Sequence, residues 1–159
     1  MATAAIRRPV ASGDPGGNEV RASQLADALS RRLDANIGTI DLSLRQLRDD
    51  YADGRAAEFR IAVRNVLDAF KIGSIRVVSV IDAEGYLAYS SAGGKQRVYL
   101  GDREHFLAQA SNRADRLYIS KPLLSRLNQS WSILFTRQIL KKGRFAGVVT
   151  ISISPDYIA

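Results

Sequence analysis

Cysteine is absent from these 159 residues, and histidine and tryptophan each occur once. The first absence excludes disulfides and every thiolate nucleophile. With His105 as the sole histidine there is no His/Cys set to hold zinc, so no metal is expected. Also missing are a Gly-x-Ser-x-Gly elbow and a phosphate-cradling glycine loop. The pairs Asp82/Glu84 and Asp102/Glu104 fall at expected turns and caps, where structural reasons suffice. These gaps argue against an enzyme: no catalytic residue and no cofactor is expected. No apolar run approaches the roughly 18 residues that span a bilayer, and the N-terminus lacks an apolar signal-peptide core.

What is present is the composition of one folded domain, with 46% apolar and 25% charged residues and a formal net charge of +7. The charge is unevenly placed. From Glu19 to Ile72 nine Lys/Arg meet nine Asp/Glu, whereas from Gly73 onward twelve meet six. The later surplus is scattered (Arg76, Lys95, Arg97, Arg113, Arg116) except at the cluster Lys141, Lys142 and Arg144. Scatter of this kind reads as a solvated face. A nucleic-acid binder would interleave aromatics with these cations on an exposed strand face. The aromatics here fall in apolar runs instead, so no nucleic-acid partner is expected.

Three regions follow from the patterning. Residues 1–18 hold Pro9, Pro15 and a Gly-Asp-Pro-Gly-Gly cluster without periodicity, and read as a flexible lead. Residues 19–72 form a long helix and a return helix. Leu25, Leu29, Leu33, Ile37, Ile40, Leu44, Leu47 and Tyr51 recur every three or four positions, which predicts an amphipathic helix from Val20 to about Tyr51. Gly38 is its weak point, and Asp53-Gly54 ends it. At ~1.5 Å per residue such a helix outruns a small sheet, so its N-terminal half is expected to pair with its twin in a homodimer. A second helix over 55–70 returns the chain.

Residues 73–159 carry the sheet. Strands are predicted over Ile75–Ile81, Tyr86–Ser90 and Leu117–Ser120, with Asp102 as N-cap of an internal helix reaching Asn112. Two long strands then flank Lys142-Gly143 as a hairpin. A two-residue turn sets Leu140 opposite Phe145, Ile139 opposite Ala146 and Trp131 opposite Ser154. One face would then hold Leu134, Leu140, Phe145, Val149, Ile151 and Ile153. The other would hold Trp131, Ile133, Phe135, Arg137, Thr150, Ser152 and Ser154, a mixture suited to a small-molecule pocket. Arg137 in an apolar strand is expected to pair with Glu104 or Asp102 or to extend past the sheet edge. The fold class is α+β: a five-stranded antiparallel sheet with helices on its two faces.

The element order resembles the extracytoplasmic, PAS-like Cache sensor domains of bacterial membrane receptors. Val80 to Gly85, Asp102-Arg103-Glu104-His105-Phe106, and the stretch from Trp131 to Tyr157 with its Gly143-Arg144-Phe145-Ala146-Gly147-Val148-Val149 turn carry the likeness. It is nearest the double-Cache type of diguanylate cyclases, phosphodiesterases and sensor histidine kinases. The resemblance implies a membrane-distal module of a membrane-anchored parent, outside the cytoplasmic membrane (periplasmic), with a second module, two transmembrane helices and any catalytic output elsewhere. In amino-acid-binding members an Arg-x-Trp-Tyr motif opens the internal helix. Arg103 stands at its arginine, His105 at the tryptophan and Phe106 at the tyrosine, while Ser152 stands where an aspartate would face the ligand ammonium. Arg103 could clamp a carboxylate bidentately. The implied function is a ligand-sensing input domain for signal transduction. It would bind a small polar or anionic molecule through Arg103, Arg137, His105 and Ser152, walled by Phe106, Tyr118 and Trp131. The alternatives are a dimerisation or scaffold module without a ligand, and a basic nucleic-acid-binding domain.

Overall fold

The computed structural model describes residues 15–70, 74–94, 96–112 and 114–157. Residues 1–14 of the expected lead, and Lys95 and Arg113 of the basic tally, lie outside them. The chain divides at Gly38 into two units. Helix α1, Pro15–Ala52, runs through that glycine without interruption. It starts earlier than the periodicity indicates, and proline suits a first helical position, where its missing N–H costs nothing. In the first unit Leu25, Leu29 and Leu33, spaced by four, are exposed. In the second unit Ile40, Leu44 and Leu47 are fully buried. The helix closes as expected: Asp53 N donates to Asp49 O, and Gly54 takes φ +71. Helix α2, Ala56–Ala69, buries Phe59, Ala62, Val63 and Val66 at helical spacing.

The rest of the second unit is an antiparallel sheet. Its strands are β1 (Ile75–Asp82), β2 (Leu87–Ser90), β3 (Tyr118–Ile119), β4 (Leu123–Leu124), β5 (Trp131–Lys141) and β6 (Arg144–Ile153), with helix α3 (Glu104–Ala110) between β2 and β3. The order is β2-β1-β6-β5-β3, and β4 also pairs with β5. The architecture is therefore α+β with a PAS-like sheet, of six strands where five were expected. The additional strand, β4, is two residues long, too short for any period to announce it. Asp102 does not cap α3. Arg103 holds the N-cap position, no side chain caps that end, and the Asp102 carboxylate is engaged by Arg126.

The β5–β6 hairpin turns as predicted and then departs from the predicted register. Lys142 and Gly143 both have positive φ, 52 and 76, the geometry of a two-residue turn that follows strand twist. Leu140 lies opposite Phe145 as expected. A bulge follows, and Ile139 pairs with Gly147 rather than Ala146. Every later pair shifts by one: Leu134 faces Ser152, Phe135 faces Ile151, and Trp131 pairs with Leu124 instead of Ser154. The physical cause is Gly147. Its φ is +143, and a Cβ there would lie 2.2 Å from the Ile81 carbonyl oxygen on β1. Only glycine permits that approach, and a glycine inside a strand is where a bulge forms.

One extra residue exchanges the faces of β6, because side chains alternate with period two. The first face carries Val78, Val80, Phe135, Arg137, Val149 and Ile151. Helices cover it: Phe59 of α2 stacks edge-on with Tyr89 of β2 at 5.0 Å and with Tyr51 of α1 at 5.4 Å. Phe135, Val149 and Ile151 have no exposed surface, and each fully buried side chain contributes about 1.5–3 kcal/mol. The second face carries Val77, Ser79, Leu134, Thr136, Thr150 and Ser152. Helix α3 lies on this side, where Phe106 meets Phe145 at 5.8 Å in a cluster with Ile81, Leu100 and Val148.

Candidate functional site

Arg137 is on the helix-covered face and is fully engaged there. Its Nε and Nη2 donate to the two oxygens of Asp41 at 2.5 and 2.9 Å, and its Nη1 donates to Asp115 at 2.9 Å. Arg48 donates to the other oxygen of Asp115 at 2.7 Å, and Arg45 pairs with Asp41 at 3.1 Å. The expected partners Glu104 and Asp102 are not the ones used: the bulge leaves Arg137 facing α1, away from α3. Although burial opposes it, the arginines beside Asp41 and Asp115 hold both carboxyls below their usual range. A buried guanidinium with two carboxylates has its charge and hydrogen bonds answered within the chain.

The second face is built differently. Between it, the start of α3 and the strap 121–130 lies a cavity with about 30 Å³ of space for the centres of water-sized groups. Val77, Ser79 and Ile81 of β1 and Thr150 and Ser152 of β6 form its floor. The Ser79 and Thr150 hydroxyls satisfy one another at 2.5 Å. Arg103 and His105 come in from α3, and Leu123, Ser125 and Leu127 from the strap. No aspartate or glutamate is among the lining residues, whereas two arginines, Arg103 and Arg126, are.

Two polar atoms of this cavity are buried without a hydrogen-bond partner, Arg103 Nε and His105 Nδ1. Arg103 uses Nη2 on the Leu124 carbonyl, which leaves Nε–H unspent. His105 is only 3% exposed. Burial, reinforced by the Arg103 and Arg126 charges, lowers its pKa to about 4, so the ring is neutral near pH 7. Buried polar groups in folded proteins are nearly always paired, and orphans are costly. Arg126 forms the outer rim, donating to both Asp102 oxygens at 2.7 and 2.9 Å and to the Tyr99 carbonyl at 3.0 Å.

The structure therefore brings together Arg103, His105 and Ser152 of the sequence-derived candidates. Phe106 sits behind the lining, in the cluster that contributes Ile81 and Leu100 to the cavity. Tyr118 is outside the lining, on edge strand β3, where burial and then the Glu104 carboxylate at its hydroxyl raise its pKa. Trp131 is 59% exposed and pairs with Leu124, so it is neither core nor a wall of this cavity. Thr150, placed in sequence on the mixed pocket face with Ser152, is in the lining, whereas Ser79 and the strap residues were not expected. The bulge puts Leu134 rather than Phe135 and Arg137 on the side of Thr150 and Ser152, and the return of the strap over the sheet has no periodic signature in sequence. Among the described residues no group of His, Cys, Asp and Glu could hold a metal ion.

No family model and no curated protein matches the sequence. Solved structures match the fold at a probability of 1.00. The ligand-binding domain of the Campylobacter jejuni chemoreceptor Tlp3 in complex with L-norvaline superposes with a TM-score of 0.71 at 12% identity, covering 92% of this chain and 64% of that one. The ligand-binding domain of the Pseudomonas fluorescens chemoreceptor CtaA in complex with L-alanine gives 0.69 at 13% identity, covering 84% and 58%. The extracellular domain of rpHK1S-Z16, described as a histidine kinase, gives 0.68 at 20% identity, covering 89% and 59%. The chain spans less than two thirds of each of these structures. They are sensor and ligand-binding domains rather than catalytic ones, and no helix among the described residues is long and apolar enough to cross a membrane. The fold of this chain is the fold of extracellular sensor domains.

Proposed function

We propose that this chain is a ligand-sensing input domain of a membrane signal-transduction protein, lying outside the cytoplasmic membrane, with no catalytic role of its own. Its ligand is a small polar or anionic molecule bound between α3 and the second sheet face, in contact with Arg103, His105 and Ser152. The single observation that carries this reading is the pair of buried, unpartnered atoms, Arg103 Nε and His105 Nδ1, on two residues that line one cavity with no carboxylate in its lining. A polar site with open hydrogen-bonding capacity beside a fixed cation is a place for an anion. An α-amino acid suits it poorly, since its ammonium group would meet Arg103 and find no acid.

The exposed leucines of α1, Leu25, Leu29 and Leu33, support pairing of two copies along that helix. Occupancy of the cavity would then bias the helical pair and pass to an output in the parent protein. Sedimentation is expected to show a dimer at micromolar concentration, and a monomer throughout would remove this part of the account.

Titration calorimetry with organic acids, amino acids and amines tests the ligand reading. An organic anion is expected to bind the wild-type chain and to lose that binding in Arg103→Ala. Tight binding of amino acids with none of organic acids would overturn it.

A further inference from the structure

We propose that the cavity selects monocarboxylates of about one to three carbons, and that the strap 121–130 sets this length limit through the Arg126–Asp102 ion pair. The inference rests on the ligand-sensing reading above and adds to it the ligand class and the selecting residues.

Size is the first ground. A space of about 30 Å³ admits two or three water-sized groups, since one water needs roughly 10–15 Å³ of such volume. Formate fits this directly, and acetate or propionate fits with small side-chain shifts. A longer or branched chain would press on Leu123 and Leu127 of the strap and Leu134 of β5. Charge is the second ground. The two oxygens of a carboxylate can accept from Arg103 Nε–H and from His105 Nδ1–H in that tautomer, two buried groups without a partner on residues that line the cavity.

The strap is a built element. Ser125 N donates to Ser130 O at 3.0 Å, Gln129 N donates to Ser125 O at 2.9 Å, and Leu127 N donates to Ser125 Oγ at 3.1 Å. It is fastened to the α3 side at two places. Arg126 holds Asp102 and the Tyr99 carbonyl, and Arg103 holds the Leu124 carbonyl. Asp102 directly precedes Arg103, so one ion pair fixes both the height of the strap and the position of the clamp. That pair is exposed, and exposed ion pairs hold weakly. Residues 125–130, beyond the part of the strap that β4 ties to β5, are therefore what this pair holds over the cavity, loosening to admit a ligand and closing on one short enough to fit beneath them.

The test is calorimetry of the wild-type chain, Arg126→Ala and Asp102→Asn with formate, acetate, propionate, butyrate, hexanoate and alanine, after thermal unfolding has shown all three folded. The wild type is expected to bind acetate at least about tenfold more tightly than butyrate, and propionate at least about tenfold more tightly than alanine, which adds only the ammonium. In both variants the acetate-to-butyrate ratio is expected to fall to about threefold or less, with alanine still disfavoured. An unchanged ratio in both variants overturns the strap as selector while the sensing role stands. Hexanoate binding the wild type as tightly as acetate overturns the length limit. Binding of another chemical class with no acid bound overturns the ligand class, and no binding of anything overturns the sensing reading along with this one.

Discussion

The two faces of the sheet answer their buried polar groups in opposite ways. On the helix-covered face Arg137 is the one buried Lys or Arg among the described residues, and Asp41 and Asp115 accept a hydrogen bond from each of its three nitrogens. On the cavity face Arg103 Nε and His105 Nδ1 are buried with nothing to bond. The same strands carry both faces, so the difference lies in what packs on them: α1 brings carboxylates, while α3 and the strap bring arginines and hydroxyls. A face with every group answered is organised for stability. A face that leaves Arg103 Nε, His105 Nδ1, Gln109 Oε1 and Ser132 Oγ open, beside a cavity, has stability to gain from a ligand. Arginine alone is thus a poor guide to a binding site, and the unanswered hydrogen bond is a better one.

The largest expected effect breaks the comparison outright. Gly147→Ala would place a Cβ against the Ile81 carbonyl oxygen at a φ of +143, forcing the bulge out and misaligning both faces. A loss of about 5 kcal/mol in urea unfolding, or failure to fold, is expected. Stability within about 1 kcal/mol of wild type would show that the bulge does not govern the register. Next, Arg137→Ala leaves the half-buried Asp41 with Arg45 alone and is expected to cost about 2–3 kcal/mol. A cost below about 1 kcal/mol would remove the contrast between the faces.

The cavity face has its own pH signature. Folding holds His105 neutral with a pKa near 4, against about 6.5 when unfolded. Above pH 6.5 neither state is protonated. Between 6.5 and about 4 the unfolded chain takes up a proton that the native chain refuses, so stability falls with pH by on the order of 2–3 kcal/mol. Asp41 and Asp115, lowered in the folded state, lose their contribution only below about 3.8, as pH falls through their folded values. Urea midpoints for His105→Leu should therefore be flat from pH 6.5 to about 4, and a slope equal to wild type would contradict the assignment. The smallest change in stability is expected for Arg103→Ala. Removing its hydrogen bond to the Leu124 carbonyl should cost about 1.5 kcal/mol of folding stability, yet the variant should also lose all stabilisation by a bound anion, which reaches about 2.7 kcal/mol at 100-fold excess over Kd.

Much of the frame was legible in sequence because it is periodic. The leucine spacing of α1, the Asp53-Gly54 stop, the β-branched run of β1 and the Lys142-Gly143 turn each follow from local chemistry, and each is observed. So is the antiparallel sheet with helices on both sides. The pocket was legible only in part. Arg103, His105 and Ser152 were identified through a resemblance, and they meet. Arg137 was assigned to the same pocket because the hairpin was extrapolated without its bulge, and Gly147, a glycine in mid-strand, was the signal that could have corrected it. Asp102 looked like a cap because acids before helices often are, but Arg126, 24 residues later, claims its carboxylate. Pairings across such separations, like the fold of the strap over the cavity, depend on tertiary contacts that no local pattern encodes.

His105 is the only histidine, so its imidazole gives a single, unambiguous resonance. The most direct test of the central claim is to follow its ring nitrogens by ¹H–¹⁵N NMR at pH 7 while acetate is added to the wild type and to Arg103→Ala. A saturable shift of Nδ1 is expected in the wild type and none in the variant. A resonance unmoved in both by acetate, and by the other organic anions, would show that the open groups of the cavity face are not ligand contacts.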